Sequence, residues 1–256
     1  MSDHPRPLYQ RIADDLRASI LTGELGPGDK LPSENALKAR YGTTRATAAK
    51  GVALLKSEGL VASSQGKAAT VRPRPSVQML TTGANFRHRL KTGVSNFNAE
   101  AAAQGLMPEQ RILKVETTPA PPEVAGRLGI PTGDPVIVRR RIYLLSGKPA
   151  QLVDGYYPFD LFHGTAVEEP RKIRGGVSAL IENPTGPVRE RITQFVEDLD
   201  IRMPVPSETE ALAIPLGVPL ARVLRTARVA SGRAVEVLDS RVPCDRHRFR
   251  YVIDVP

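Results

Sequence analysis

An α+β chain of two unequal parts is what this sequence predicts: a small N-terminal helical unit, then a larger unit built on an antiparallel sheet flanked by helices. Three observations predict it. Residues 33–71 read as helix, glycine turn, helix and a short two-legged hairpin. A segment at 130–158 returns in altered form at 214–243. Arg72-Pro73-Arg74-Pro75 breaks all regular structure and reads as a stiff linker.

Residues 1–7 form a polar, proline-containing arm. Leu8, Ile12, Leu16 and Ile20 recur every fourth residue, which predicts an amphipathic helix over 8–22. Asp14, Asp15 and Arg17 occupy its wet face and Gly23 ends it. Ser33 can cap the next helix, and Glu34 places a negative charge at its positive end. Ala36, Leu37 and Tyr41 give that helix an apolar side, and Gly42 turns the chain. Thr43 or Thr44 caps a further helix that runs to about Glu58. Ala48, Val52 and Leu55 face inward at helical spacing. Ala46, Ala49, Lys50 and Ala53 fall outward, with Arg45 in the first turn. Gly59 closes the helix. Leu60-Val61 and Thr70-Val71 are the legs of a hairpin with Gly66 at its tip.

Two helices joined by a tight glycine turn form a helix-turn-helix, whose second helix fits the DNA major groove. The small outward side chains let the backbone approach the bases. Arg45 is placed for a guanine edge or a phosphate. The hairpin reads as a wing, with Lys67 reaching the DNA backbone or a minor groove. Residues 35–74 carry eight Lys/Arg against one acid, a net +7, whereas residues 1–34 carry a net −2. Positive charge therefore lies where a polyanion would sit. The bland alternative is a protein-contact module with solvated lysines.

The whole chain has 256 residues and a net charge of +9, with 41% hydrophobic residues, 5% aromatic and no Trp, so its cores are aliphatic. Residues 76–256 hold 24 Lys/Arg and 20 Asp/Glu, a much milder excess. A single cysteine, Cys244, excludes an intrachain disulfide and a cysteine-rich zinc site. No apolar signal region opens the chain and no run approaches a membrane span, so a cytoplasmic protein is expected.

Beyond the linker, Phe86 to Leu90 reads as a helical turn or a strand, 98–105 as a short helix ended by Gly105, and Ile112 to Thr117 as a strand. Residues 121–129 predict a helix with proline near its start and glycine at its end. Then comes the repeat. Pro131, Gly133 and Pro135 match Pro215, Gly217 and Pro219 at an offset of 84; Ser146-Gly147, Asp154 and Pro158 match Ser231-Gly232, Asp239 and Pro243 at 85. Each copy reads as helix, turn, strand, Ser-Gly turn and returning strand, so the two hairpins are halves of one antiparallel sheet. Between them, 176–183 reads as a short helix and 188–202 as strand-like.

Residues 8–72 resemble the winged-helix domain of the GntR family of bacterial transcription regulators, through LYQRIADDLRASILTGEL, GPGDKLPSENALKARYG, TTRATAAKGVALLKSEGLV and QGKAATV. The resemblance implies base or phosphate contacts from Thr44, Arg45 and Thr47 and a wing tip at Gly66. Ser33, Glu34, Lys50 and Lys67 complete the expected DNA-binding set. Ala49 stands where the family often has Arg, and Ala68-Ala69 where Gly-Thr is usual, so no operator sequence carries over. Roughly residues 80–252 resemble the UTRA effector-binding domain of the HutC subfamily, through PAPPEVAGRLGIPTGDPVIVRRRIY, YYP, MPVPSETEALAIPLGVPLARVLRTA and GRAVEVLDSRVPCDRHRF. That resemblance implies a sheet-and-helix fold similar to chorismate lyase, a small-molecule pocket and dimerisation. The expected layout is a DNA-binding domain at 1–72, a linker at 73–79 and an effector-binding, dimerising domain at 80–256.

By strand alternation, Arg139 and Arg141 share one face with Ile137 and Tyr143. Two adjacent guanidiniums suit a phosphate or carboxylate between them. Glu236 can accept sugar hydroxyls or pair an amine, and Tyr156 is a candidate to close the pocket. The alternatives are a solvent-facing sheet, an ion pair and a core tyrosine. The expected function is a homodimeric, effector-responsive regulator, a repressor, on a palindromic double-stranded operator, with no cofactor. An effector-independent architectural DNA-binding protein is one rival. An enzyme of lyase-like fold is another, but His4, His88, His163 and His247 show no metal-ligand spacing, Cys244 lacks an activating context, and no Walker or dinucleotide glycine motif occurs. Asp245 and His247 are expected to be surface polar residues.

Overall fold

The computed structural model of the chain describes residues 6–62, 68–72, 77–80 and 96–250. The N-terminal arm before Arg6, the wing tip with Gly66 and Lys67, linker residues 73–76 and the Phe86–Leu90 element lie outside the described residues.

Three helices and a hairpin make the N-terminal unit: α1 (Leu8–Thr22), α2 (Glu34–Tyr41), α3 (Arg45–Ser57), β1 (Val61–Ala62) and β2 (Thr70–Val71). Ile12, Leu16 and Ile20 of the predicted α1 stripe pack with Leu37, Ala48, Val52 and Leu55, while Leu8 stands outside that cluster. Each buried Ile or Leu there contributes about 1.5–3 kcal/mol. Gly51 lets α1 and α3 touch. A Cβ at that position would stand 2.9 Å from the Tyr9 carbonyl and 3.0 Å from Ile12 Cγ2. Arg17 of α1 ties that helix to the end of α3 through paired bonds to Glu58, at 2.9 and 2.6 Å.

The C-terminal unit is a six-stranded antiparallel sheet. Its strands are β4 (Pro108–Pro119), β5 (Pro135–Leu145), β6 (Lys148–Pro158), β7 (Ile192–Arg202), β8 (Leu220–Val229) and β9 (Ala234–Pro243). The order β4-β5-β6-β9-β8-β7 joins the two repeated hairpins at the centre, where Asp154 lies opposite Asp239. The duplication is longer than the sequence suggests. Each copy also takes in the strand before its helix: β4 with α5 (Pro122–Leu128), and β7 with α8 (Pro206–Leu212). Both helices carry proline at their start. The left-handed residue ending them is Gly129 in one copy and Ala213, 84 positions on, in the other.

One sheet face lies under α5 and carries Val136, Val138, Leu224 and Val237. The other is covered by α4 (Asn96–Ala103), α6 (Phe159–Phe162) and α7 (Gly176–Glu182), with Ile137, Tyr157, Phe162 and Ile181 at its core. Residues 77–79, expected to be linker, instead belong to β3 (Val77–Leu80), which pairs in parallel with β10 (His247–Arg250). His247 is consequently not a surface residue: it is 4% exposed, and its Nδ1 lies 3.2 Å from the Pro243 carbonyl. Asp245 is likewise engaged, accepting from Arg246 Nε at 3.0 Å. No helix among the described residues is long and apolar enough to cross a membrane.

Candidate nucleic-acid interface and sheet-face ligand site

The helix-turn-helix is built by its caps. Ser33 Oγ accepts from the Ala36 amide at 3.1 Å, Gly42 turns the chain at φ +59°, and Thr44 Oγ1 accepts from the Thr47 amide at 3.1 Å. Ser33 and Thr44 therefore spend their oxygens on the fold, satisfying amides that no helix turn can reach. Arg45 is 72% exposed at the start of α3. Glu34 Oε2 accepts from its Nε at 2.7 Å, which ties the guanidinium to the start of α2. Lys50 is exposed on the same helix, its Nζ 4.2 Å from the centre of the Tyr9 ring. Ala46 and Ala53 are exposed between them, leaving a low profile over which a polyanion can approach. Among the described residues, no group of three or more His, Cys, Asp or Glu is placed to hold a metal.

On the sheet, the two arginines part company. Arg139 is 2% exposed, and the loop after α6 absorbs its donors. Nη1 donates to the carbonyls of Val167 at 2.6 Å and Glu169 at 2.7 Å, and Nη2 to that of Arg171 at 2.8 Å. The pair thus does not straddle one vacant anion site; Arg139 fastens a loop. Arg141, two residues on, has Nε and Nη2 buried with no hydrogen-bond partner among the described residues. Such orphaned donors are costly and uncommon in folded proteins.

Beside Arg141 stands Glu236, 4% exposed, whose Oε1 accepts from Tyr157 Oη at 2.9 Å. Burial pushes the Glu236 carboxyl upward, against the pull of Arg141, and pushes the Tyr157 hydroxyl well above its ordinary value. Burial opposes the charge on Arg141 as well, but the neighbouring Glu236 carboxyl and the Tyr157 hydroxyl favour the charged guanidinium and outweigh it. Tyr156, the expected pocket tyrosine, packs instead with the cluster under α5 on the opposite face.

Two members of this group escaped the sequence reading. Tyr157 is fixed by its register opposite Ile137. Gly155 makes room for the cluster: a Cβ there would stand 2.7 Å from Tyr157 Oη and 2.8 Å from Arg141 Nη2. A glycine inside a strand pattern signals such close approach, and Asp154-Gly155-Tyr156 carried that signal.

Comparison with known proteins agrees with this architecture. The profile of the UTRA domain matches residues 103–248, and that of the bacterial regulatory proteins of the gntR family matches residues 8–71. The HTH-type transcriptional repressor NagR of Bacillus subtilis is 25% identical over 252 residues, covering 98% of this chain and 96% of NagR. The mannosyl-D-glycerate transport/metabolism system repressor MngR of Escherichia coli is 26% identical over 249 residues, covering 96% of each chain. A crystal structure assigned to the GntR family superposes with a TM-score of 0.70 at 26% identity, covering 98% of this chain and 99% of that one. With its exposed cationic helix start and its sheet-borne buried cluster, the chain belongs to the GntR family of bacterial transcription regulators that carry a UTRA domain; it is a DNA-binding regulator and not an enzyme.

Proposed function

We propose that the chain is a repressor that binds a palindromic operator as a homodimer and is re-set by a small anionic metabolite on the sheet. The observation that carries the ligand side is the pair of orphaned donors on Arg141. A carboxylate or phosphate oxygen would satisfy them with charge-assisted bonds. Glu236 and Tyr157, already hydrogen-bonded to each other, offer an acceptor and a hydroxyl to the rest of the molecule. A hydroxylated acid or a phosphorylated sugar fits that chemistry, and the name of MngR, referring to mannosyl-D-glycerate, lies within it. Arg139 serves the site indirectly by holding the loop at 166–171 over the sheet.

On the DNA side, α3 enters the major groove, with Thr44, Arg45 and Thr47 at its leading end and Lys50 along its exposed side. A two-fold dimer presents this surface twice, hence the palindrome. The effector alters DNA affinity only by preferring one arrangement of the heads.

The test has two arms on the full-length protein. The first is footprinting on DNA from its own upstream region against scrambled competitor. A discrete, competitor-resistant footprint is expected; binding that matches scrambled DNA would favour an architectural role. The second is a thermal-shift screen with phosphosugars and hydroxy acids, repeated on Arg141→Met. Saturating ligand at about 100 times its Kd raises stability by roughly 2.7 kcal/mol. A hit retained by Arg141→Met places the ligand elsewhere.

A further inference from the structure

The repeated turn Pro131–Pro135 and its copy Pro215–Pro219 share backbone geometry but not surroundings. Gly133 has φ +89° and Gly217 has φ +77°. A Cβ on Gly133 meets nothing within 4 Å. One on Gly217 would stand 2.4 Å from the Lys56 carbonyl oxygen, 2.7 Å from that of Ser57 and 2.8 Å from the Gly59 amide nitrogen. Those are backbone atoms of the end of α3 and the turn that follows it. Reciprocally, a Cβ on Gly59 would lie 2.4 Å from the Gly217 carbonyl oxygen. Two glycine backbones therefore abut across the boundary between the DNA-reading head and the sheet unit.

Arg72 seals the same contact. Its Nε donates to the Gly59 carbonyl at 2.7 Å on the head side. Its Nη2 donates to the Leu216 carbonyl at 3.3 Å, and Nη1 lies 3.7 Å from Asp245 Oδ2 on the other. Arg246 fixes this receiving surface, bonding the carbonyls of Pro149, Leu212 and Ala213 at 2.8, 3.1 and 3.1 Å. The contact is small and polar. Beside it a cleft of about 480 Å³ opens between the end of α1, Leu60, Val71 and the Cys244–Asp245 corner. Small polar interfaces of this kind leave relative motion of domains as the default.

We infer that the second-copy turn at Gly217, sealed by Arg72 and Asp245, positions the DNA-reading head by docking on the end of the recognition helix. The first-copy turn keeps the same backbone without that task. Strands β8 and β9 connect the docking point to the ligand cluster. β8 begins just after the turn and pairs Ala227 with Glu236, while β9 runs from Glu236 to the Asp245 corner. A shift of either strand at its ligand end reaches the head by rigid connection, roughly 30 Å away.

Hydrogen exchange on the full-length protein tests this with the duplication as its own control. Gly133→Ala and Gly217→Ala impose the same left-handed strain; only the second forces the backbones apart. Gly217→Ala is expected to speed exchange at 56–62 by about tenfold while the central sheet strands stay protected, and Gly133→Ala to leave 56–62 unchanged. Equal exchange at 56–62 in both variants overturns the docking. Should Gly217→Ala fail to fold, Asp245→Ala replaces it, with faster exchange at 56–62 expected and unchanged exchange again overturning the docking. The positioning role rests in addition on the proposed function. Release by Gly217→Ala or Asp245→Ala is expected to change affinity for DNA from the protein's own upstream region by at least about fivefold, within the range of allosteric couplings. Released heads with unaltered affinity overturn positioning. Exchange needs neither DNA nor effector, so docking is judged even where no operator is found.

Discussion

Arg139 and Arg141 differ by two positions on one strand, and their surroundings give them opposite energetics. Arg139 satisfies the buried Val167 carbonyl and the half-buried carbonyls of Glu169 and Arg171. Arg141 satisfies none with its buried Nε and Nη2. Arg139→Met should therefore cost about 2–4 kcal/mol, since it strands several acceptors at once. Arg141→Met should fall within about 1 kcal/mol of the parent, because Glu236, already driven toward its neutral form by burial, takes up a proton once the guanidinium is gone. Urea denaturation of the two variants at neutral pH decides the matter, and a larger loss for Arg141→Met would reverse the roles. Sequence alternation placed both arginines on one face correctly. What it could not see was the loop at 163–175, whose residues carry no periodic signal yet deliver Val167 and four carbonyl groups to that face. Nor could it set the phase of the Tyr156-Tyr157 pair. β6 is buried on both faces, so the apolar alternation that would choose between the tyrosines is missing, and only pairing with β5 supplies it.

At the scale of elements, the 84-residue repeat made the two hairpins legible because its Pro, Gly and Ser-Gly positions are demanded by turn geometry. The outer strands β4 and β7 pair in corresponding places but share no such residues, so the duplication looked shorter than it is. The short β3–β10 ladder was hidden for a different reason: its partners lie 170 residues apart and four residues carry little pattern. That ladder and helix α8 bury two groups with separate acid windows. Burial holds His247 at about 4, below its ordinary 6.5, so between these values the unfolded chain binds a proton that the folded chain refuses. Stability contributed by neutral His247 is complete above pH 6.5 and declines as pH falls toward 4. Glu208 behaves oppositely in position but alike in outcome. Bonds from Arg202 at 2.7 and 2.8 Å, and from the Val205 amide at 3.0 Å, hold its carboxyl below the usual range despite burial. Its contribution persists above its ordinary value and is lost only as pH drops below it. The His247 contribution alone should thus fall by on the order of 2 kcal/mol between pH 6.5 and 4.5, offset in part by Glu236, whose raised carboxyl takes up its proton first in the fold. His247→Gln should flatten that limb, and Glu208→Gln should alter only the steeper loss at lower pH. Parent and His247→Gln profiles that run parallel from 6.5 to 4.5 would show that His247 protonates freely in the fold.

Over the whole molecule, charge is divided by how it is spent. In the sheet unit, many arginines are matched locally: Arg127 with Asp198 at 2.5 Å, Arg222 with Asp239 at 2.8 Å, Arg202 with Glu208 and Arg233 with Asp160. In the head, no ion pair among the described residues engages Lys38, Arg40, Lys50 or Lys56, and the acids of α1 are taken by Arg6, Arg17 and Tyr41. The head therefore presents unspent cations along α2 and α3. Counterion release follows the unspent ones, about 0.9 of a unit of salt slope for each phosphate neutralised. Lys50→Gln should lower the slope of log affinity against log salt by about 1, nearly alike on operator and scrambled DNA. Arg233→Gln should leave the slope where it is. Arg45, held by Glu34 at the leading end of α3, is predicted to read a base rather than a phosphate. Arg45→Ala should cost about 1–3 kcal/mol on the operator and little on scrambled DNA, with the slope almost unmoved. A drop of about 1 in slope together with equal losses on both DNAs would make Arg45 a phosphate contact. Specificity would then have to come from the remaining outward side chains of α3, which are mostly small, and from the shape of the DNA itself.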